Sequence, residues 1–288
     1  MSIKQQFERL ARSAGGAFKT VSDRTNVADR FAAHLKDHNI QIKDIEHLKS
    51  RHIESYIQQR HEDGIGKRTL QNEMSAIRVM LREADRAEFA DSERLSNKAL
   101  EINDASRDGT HRAMPDDKYQ DVYNKLGSID AGVQACAALE RYLGLRSEEA
   151  VQGNKSLADW QKQLSQGDTV RVIYGTKGGR TRDARPVDID KAREAINNAL
   201  ALAKTQGGNL VDKPDLQSAT DRHSYAMRAA GATGEYSPHS LRYAFACDSI
   251  ERYEAQGFSH KDALAMTSMD LGHGDARGRY IQQVYSRR

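Results

Sequence analysis

One stretch of this chain is patterned as a strand and its return; almost everywhere else the apolar residues recur at helical spacing. Thr169, Val170, Val172 and Ile173 make residues 168–174 strand-like. Gly175-Thr176-Lys177-Gly178-Gly179 reads as a turn, and residues 181–187 can return as a second strand. The expected fold class is therefore mainly α with one small β-hairpin, and Lys177 sits at the hairpin's tip or first edge.

The helical pattern divides the chain. Residues 3–14 and 21–35 read as amphipathic helices, the second with Val27, Phe31 and Leu35 at four-residue spacing. Ile42, Ile45 and Leu48 mark a short segment, and residues 52–60 another. Residues 67–84 form the clearest helix, with Leu70, Met74, Ile77 and Leu81 in one stripe. The polar faces carry Arg51, Arg60, Lys67, Arg68 and Arg78. These are either a solvated face or phosphate contacts. Lys67, Arg68 and Arg78 are the candidates for binding DNA, with the Gly64-Ile65-Gly66 turn close to the backbone. Residues 101–114 are polar and lack periodicity, which places a linker between a helical domain at 1–100 and a second domain at 115–288.

In the second domain Pro115 opens a helix to residue 126. Ala131–Leu143 is apolar on most sides and reads as buried, with Gly144 in the helix-stop position. Helices are expected over 192–204, 217–230, Ser240–Ala255 and 261–270, and a last one over 279–287 after Gly272, Gly274 and Gly278. Trp160 and most tyrosines are most simply core.

Composition narrows the class. Of 288 residues, 38% are hydrophobic and 30% charged, and no stretch approaches the roughly 18 apolar residues of a membrane helix. The N-terminus has no signal-peptide pattern, so the expected location is cytoplasmic. Cys136 and Cys247 lie in apolar helical patterns and read as buried thiols. No CxxC or HExxH occurs, and no metal or other cofactor is expected. With 44 basic against 41 acidic residues, a DNA-binding face must come from uneven placement of charge rather than from the total.

The chemistry is concentrated toward the C-terminus. His239 and Arg242, three apart, share a helix face. Ser237 is the expected cap and Pro238 the first turn, so the positive end of the helix dipole adds to an oxyanion site. Arg146 follows the Gly144 stop, with carboxylates at Glu148 and Glu149 able to hold it rigid. His273 follows after a helix-length interval, and tyrosines stand at 280 and 285.

In this order and spacing the sequence resembles the tyrosine recombinase, or phage integrase, family. The matches are GLRSEEA at 144–150, YGTKGGRTRDARPV at 174–187, HSLRYAFA at 239–246 and LGH at 271–273. Residues 1–100 resemble, more loosely, the family's helical core-binding (SAM-like) domain. The resemblance implies two domains closing as a C-shaped clamp on double-stranded DNA at specific core sites. It implies a tetramer on DNA, a monomer or weak dimer off it, and room for an accessory DNA-bending protein. Without an N-terminal arm-binding module among the matches, the resemblance leads to an expectation of simple core sites, and of association with the nucleoid. The reaction implied is cleavage and rejoining through a 3′-phosphotyrosyl intermediate, needing neither ATP nor metal. By the same resemblance Arg146 and Arg242 clamp the non-bridging oxygens, for which a planar guanidinium suits better than an ammonium. Lys177, on a mobile hairpin, is the general acid toward the 5′ oxygen, with Arg180 and Arg182 as rivals for that place. His239 serves phosphate binding and proton transfer at the nucleophile, His273 supports the phosphate, and Glu149 orients a basic group of the site.

The nucleophile is open between two residues. At the family's common spacing after the LGH histidine stands Gln282, with Tyr280 two residues before it and Tyr285 three after. Tyr285 is preferred, because the glycine-rich stretch 274–278 reads as a lengthened turn and Val284 supplies the usual apolar residue just before the tyrosine. Five apart on a helix, the two point in different directions and cannot both face the phosphate. Integration or excision of a mobile element is the expected role. Alternatives are chromosome or plasmid dimer resolution by the same chemistry, a type IB topoisomerase, and a DNA-binding regulator that keeps the fold without the chemistry.

Overall fold

The computed structural model describes residues 1–106 and 108–286. The chain divides into two compact units, Met1–Ser106 and Arg107–Arg288.

The first unit is helical throughout: α1 (Ile3–Ser13), α2 (Phe18–Asp37), α3 (Ser50–Glu62), α4 (Lys67–Glu83) and the single turn α5 (Ala87–Ala90). Ser2 and Gln5 form a reciprocal capping box that satisfies two orphan donors at the start of α1. The expected stripe of α4, Leu70, Met74, Ile77 and Leu81, is buried together with Phe7, Phe31 and Tyr56. Each such side chain contributes about 1.5–3 kcal/mol by leaving water. One carboxylate interrupts this core. Glu73 on α4 is 1% exposed, and it accepts hydrogen bonds from Tyr56, Arg60 and Arg30. Arg60 is thereby committed to the interior rather than to a solvated face. Arg78 is engaged within the unit too, donating to the Leu95 carbonyl at 2.6 Å and to Asn97 Oδ1 at 2.8 Å. Lys67 and Arg68, in the first turn of α4, are exposed.

The second unit contains α6 (Asp116–Ile129), α7 (Ala131–Leu143), α8 (Ser147–Val151), α9 (Leu157–Gln166), β1 (Val170–Val172), β2 (Arg182–Ala184), α10 (Ile189–Thr205), α11 (Leu216–Ala229), α12 (Ser240–Ala255), α13 (His260–Asp270) and α14 (Gly278–Val284). The two strands pair antiparallel in the register Val170–Ala184, Arg171–Asp183, Val172–Arg182, each shorter than the sequence suggests. Helix α7 is the buried one, packed against α10 and α12. Helix α9 is not anticipated, although Leu157, Trp160 and Leu164 have helical spacing. It is held to the hairpin by Trp160 Nε1 donating to the Arg171 carbonyl at 2.9 Å. A separate apolar cluster joins α12, α13 and α14 of the same chain, with Phe245, Leu264, Leu271, Ile281 and Val284 at its centre. Helix α14 ends earlier than expected, and residue 287 of the expected helix lies outside the described residues. Cys136 and Cys247 are both buried, and Cys247 Sγ lies 3.4 Å from the Tyr285 carbonyl, in donor geometry. Among the described residues no helix is long and apolar enough to cross a membrane.

Candidate active site

The site begins at a glycine. Gly144 ends α7 in the left-handed region (φ 61°), and a Cβ there would meet the Phe245 ring at 2.4 Å. That turn presents the Gly144 carbonyl to two guanidiniums, Arg182 from β2 and Arg242 from α12. Two residues on, Arg146 caps α8. Its backbone N–H donates to Glu149 Oε2 at 2.8 Å, and its Nη1 donates to Oε1 at 2.7 Å.

Glu149 is the hub. It is 1% exposed and also accepts two bonds from Arg182, at 2.6 and 2.7 Å, while Arg242 Nη1 lies 3.9 Å away. Burial by itself would raise its pKa. Arg182 above all, then Arg242 and Arg146, more than offset that and hold it down to about 2. Three cations thus share one anion, which leaves the pocket net positive. Arg242, 1% exposed, donates to the Gly144 and Leu271 carbonyls. Burial and then Arg182 push its pKa down to about 10, so it stays cationic at neutral pH. Arg182 Nε donates to the Asp270 carbonyl at 2.9 Å, which ties the hairpin to the end of α13.

Helix α12 spans the expected Ser240–Ala255, but its cap differs from expectation. The helix proper begins at Ser240, with His239 as its N-cap, because a tight turn precedes it: Ser240 N donates to the Ser237 carbonyl at 2.8 Å. Ser237 does not cap the helix. Its Oγ lies 3.2 Å from His111 Nδ1. His239 and Arg242 still come from the same end of α12, the positive end of its dipole.

Tyr285 stands immediately after α14, 3% exposed. Its hydroxyl lies 3.4 Å from His239 Nε2 and 3.3 Å from His273 Nε2. Both imidazoles are pushed well below the usual histidine range, His239 to about 4 and His273 to about 3, first by burial and then by Arg242. Both are therefore neutral at physiological pH. A phenol donates one proton, so one imidazole accepts it through Nε2 while the other carries its own proton there.

Tyr280 is 37% exposed. Its ring lies 5.0 Å from that of His273 and 6.1 Å from that of Tyr285. The expected divergence of the two tyrosines does not hold for their rings: Tyr285 lies beyond the last helical turn, and His273 sits beside both.

The structure thus brings together Arg146, Glu149, His239, Arg242, His273 and Tyr285. It does not bring Lys177 to them. Lys177 is exposed on the 3-10 turn Lys177–Gly179, and among the described residues it makes no hydrogen bond or ion pair. Arg182, weighed from sequence only as a rival for the Lys177 place, is instead the buried partner of Glu149. The signal was its register, since residues alternate faces along a strand and Arg182 sits on the inward face with Ala184. His111, inside the expected linker, is a second residue at the site's edge that sequence reading passed over.

Two family profiles match, that of phage integrase N-terminal domains over residues 1–90 and that of integrases over residues 101–248. The second stops before His273 and Tyr285. No curated protein sequence matches the chain. Solved structures do. A lambda integrase tetramer bound to a Holliday junction is similar at 16% identity with a TM-score of 0.63, over 98% of this chain and 76% of that one. A lambda integrase (75–356) dimer bound to a COC′ core site gives 17% and 0.61, over 95% and 94%. The Tn1549 transposon integrase in complex with transposon right end DNA gives 14% and 0.57, over 95% and 91%.

Fold and family profiles define an enzyme of the tyrosine recombinase class. The chain belongs to the phage integrase family.

Proposed function

We propose that the protein is a site-specific recombinase that breaks and rejoins double-stranded DNA through a 3′-phosphotyrosyl intermediate, with Tyr285 as nucleophile. The observation that carries this reading is the Tyr285 hydroxyl lying between two neutral imidazoles, beside an arginine cluster. The phenol oxygen attacks the scissile phosphorus, and His239 Nε2 receives its proton. Arg146 and Arg242 bind the two non-bridging oxygens, and His273 donates to the phosphate as charge develops. Arg146, with 24% of its side chain exposed, meets the phosphate first; Arg242 lies deeper. The P–O5′ bond breaks, and Lys177 protonates the leaving oxygen once its turn comes over the bound DNA. Attack by a new 5′ hydroxyl on the phosphotyrosine rejoins a strand and returns the phenol. The packing of Tyr285 beside His239 and His273 of its own chain supports cleavage in cis.

Both units engage the DNA, Lys67 and Arg68 through phosphates, and protomers assemble as a tetramer across two sites. The substrate is the pair of boundary sites of a mobile element, a role supported by similarity to a transposon integrase. The test is incubation with two boundary fragments, one of them labelled. An SDS-resistant adduct and recombinant products are expected. Failure to form an adduct, or site-independent relaxation of any supercoiled plasmid, contradicts the reading.

A further inference from the structure

Residues 108–111 run beside the proposed nucleophile and its histidine, bonded to Gln283 just before Tyr285 and to Ser237 just before His239. Gln283 Nε2 donates to Asp108 Oδ1 at 3.1 Å, and Gly109 N donates to the Gln283 carbonyl at 3.4 Å. Gly109 is buried against α14 so closely that a Cβ would lie 2.1 Å from the Val284 carbonyl and 2.8 Å from the Tyr243 hydroxyl. Only glycine fits there. These contacts grip the two residues that immediately precede Tyr285.

Two residues further on, His111 meets the other partner of the proton transfer. Its ring lies edge-on to His239 at 6.3 Å and to Tyr243 at 6.0 Å. Tyr243 in turn packs on the Tyr285 ring at 4.6 Å. The His111 ring is itself fixed, with Nδ1 3.2 Å from Ser237 Oγ and the next backbone N–H, that of Arg112, donating to the Glu235 carbonyl at 3.0 Å. One short segment therefore contacts the residues before the phenol and places a ring beside the accepting imidazole.

We infer that His111 is a positioning residue for strand cleavage, the working end of a strap that holds Tyr285 and His239 in register. The inference rests on the reading of Tyr285 as nucleophile and His239 as its proton acceptor. His111 does not touch the phosphate or the phenol oxygen; it acts through the rings of His239 and Tyr243. Loss of its ring lets both settle away from the reactive geometry, where small displacements cost large factors in rate.

The test is single-turnover adduct formation at saturating DNA on a nicked duplex of the element's boundary sequence, using the full chain. It compares wild type, His111→Ala, His111→Phe and Tyr285→Phe, each with gel-shift affinity measured on the same duplex. His111→Ala is expected to form adduct roughly 10- to 100-fold more slowly with unchanged affinity. His111→Phe, which keeps an aromatic ring against His239 and Tyr243, is expected to recover to within about threefold of wild type. A substrate with sulfur in place of the bridging 5′ oxygen leaves without needing a proton, so the His111→Ala deficit is expected to persist on it. Wild-type rates for His111→Ala overturn the inference. So do a deficit explained by weaker binding, a His111→Phe protein as slow as His111→Ala, and rescue by the sulfur substrate. Adduct formed by Tyr285→Phe overturns the underlying reading instead.

Discussion

Glu149 shows how a single buried carboxylate can organise a site made of cations. Arg146, Arg182 and Arg242 would repel one another without it, and it is held ionised by them at a pKa of about 2. The sign is that of a depressed carboxylate. Its stabilisation is complete above the ordinary value of 4.5 and is lost as pH falls from there toward 2, an effect of about 3 kcal/mol. Glu149→Gln leaves three buried or half-buried guanidiniums short of a charge partner. Its expected cost is about 3–5 kcal/mol, read as a lowered urea midpoint at pH 7 and a weaker acid dependence between pH 4.5 and 2 than wild type. The histidines give a second pH signature. His239 and His273 are neutral in the fold far below their ordinary value of 6.5, so the stability tied to them is present above pH 6.5 and lost as pH falls toward 4 and 3. A neutral His239 can accept the phenol proton. Adduct formation is therefore expected to stay level on the acid side from pH 7 down to about 5, then fall as His239 protonates near 4. A quenched single-turnover pH series checks this. A break near 6.5 would show that burial does not control the imidazole.

At the scale of elements, the same residue type does opposite work depending on what its helix packs against. Arg78 on α4 fastens the segment after α5 through the Leu95 carbonyl and Asn97, whereas Lys67 and Arg68 at the helix start face water. Arg78→Ala is expected to cost about 1–3 kcal/mol of stability by leaving a buried carbonyl without its donor. Lys67→Ala and Arg68→Ala are expected to leave stability within about 0.5 kcal/mol and each lower the salt dependence of DNA binding by about one counterion. Denaturation and salt-titrated gel shifts on the full chain separate the two behaviours. This contrast marks where sequence stops being legible. Periodicity found the α4 stripe, the buried α7, the Gly144 stop and the hairpin, because each follows from local spacing. It could not say which basic residue of a polar face turns inward, since Glu73, the partner that draws Arg60 inside, belongs to another helix. The same limit hid Arg182, whose role depends on three carbonyl and carboxylate acceptors brought from α7, α8 and α13. It also hid His111, which lies in a stretch with no periodicity at all. The order Arg146, His239, Arg242, His273 was readable as chemistry; the cap of α12 and the end of α14 were not, because a turn at Ser237 and a residue beyond the last helical turn are set by tertiary contacts.

For the molecule as a whole, the central claim is that one chain gathers the arginines, both histidines and the nucleophile, which is Tyr285 rather than Tyr280. Helix α14 packs on α13 of its own chain and buries Tyr285 beside His239, His273 and the arginine cluster. Mixing Tyr285→Phe with Arg146→Ala protein on one labelled site is accordingly expected to restore no adduct, since neither chain supplies both parts. The most direct measurement is covalent trapping on a nicked duplex of the element's boundary sequence, comparing wild type with Tyr285→Phe and Tyr280→Phe. An SDS-resistant adduct in wild type and Tyr280→Phe, and none in Tyr285→Phe, is the predicted result. Adduct retained by Tyr285→Phe and lost in Tyr280→Phe would contradict the account and make the half-exposed tyrosine beside His273 the nucleophile.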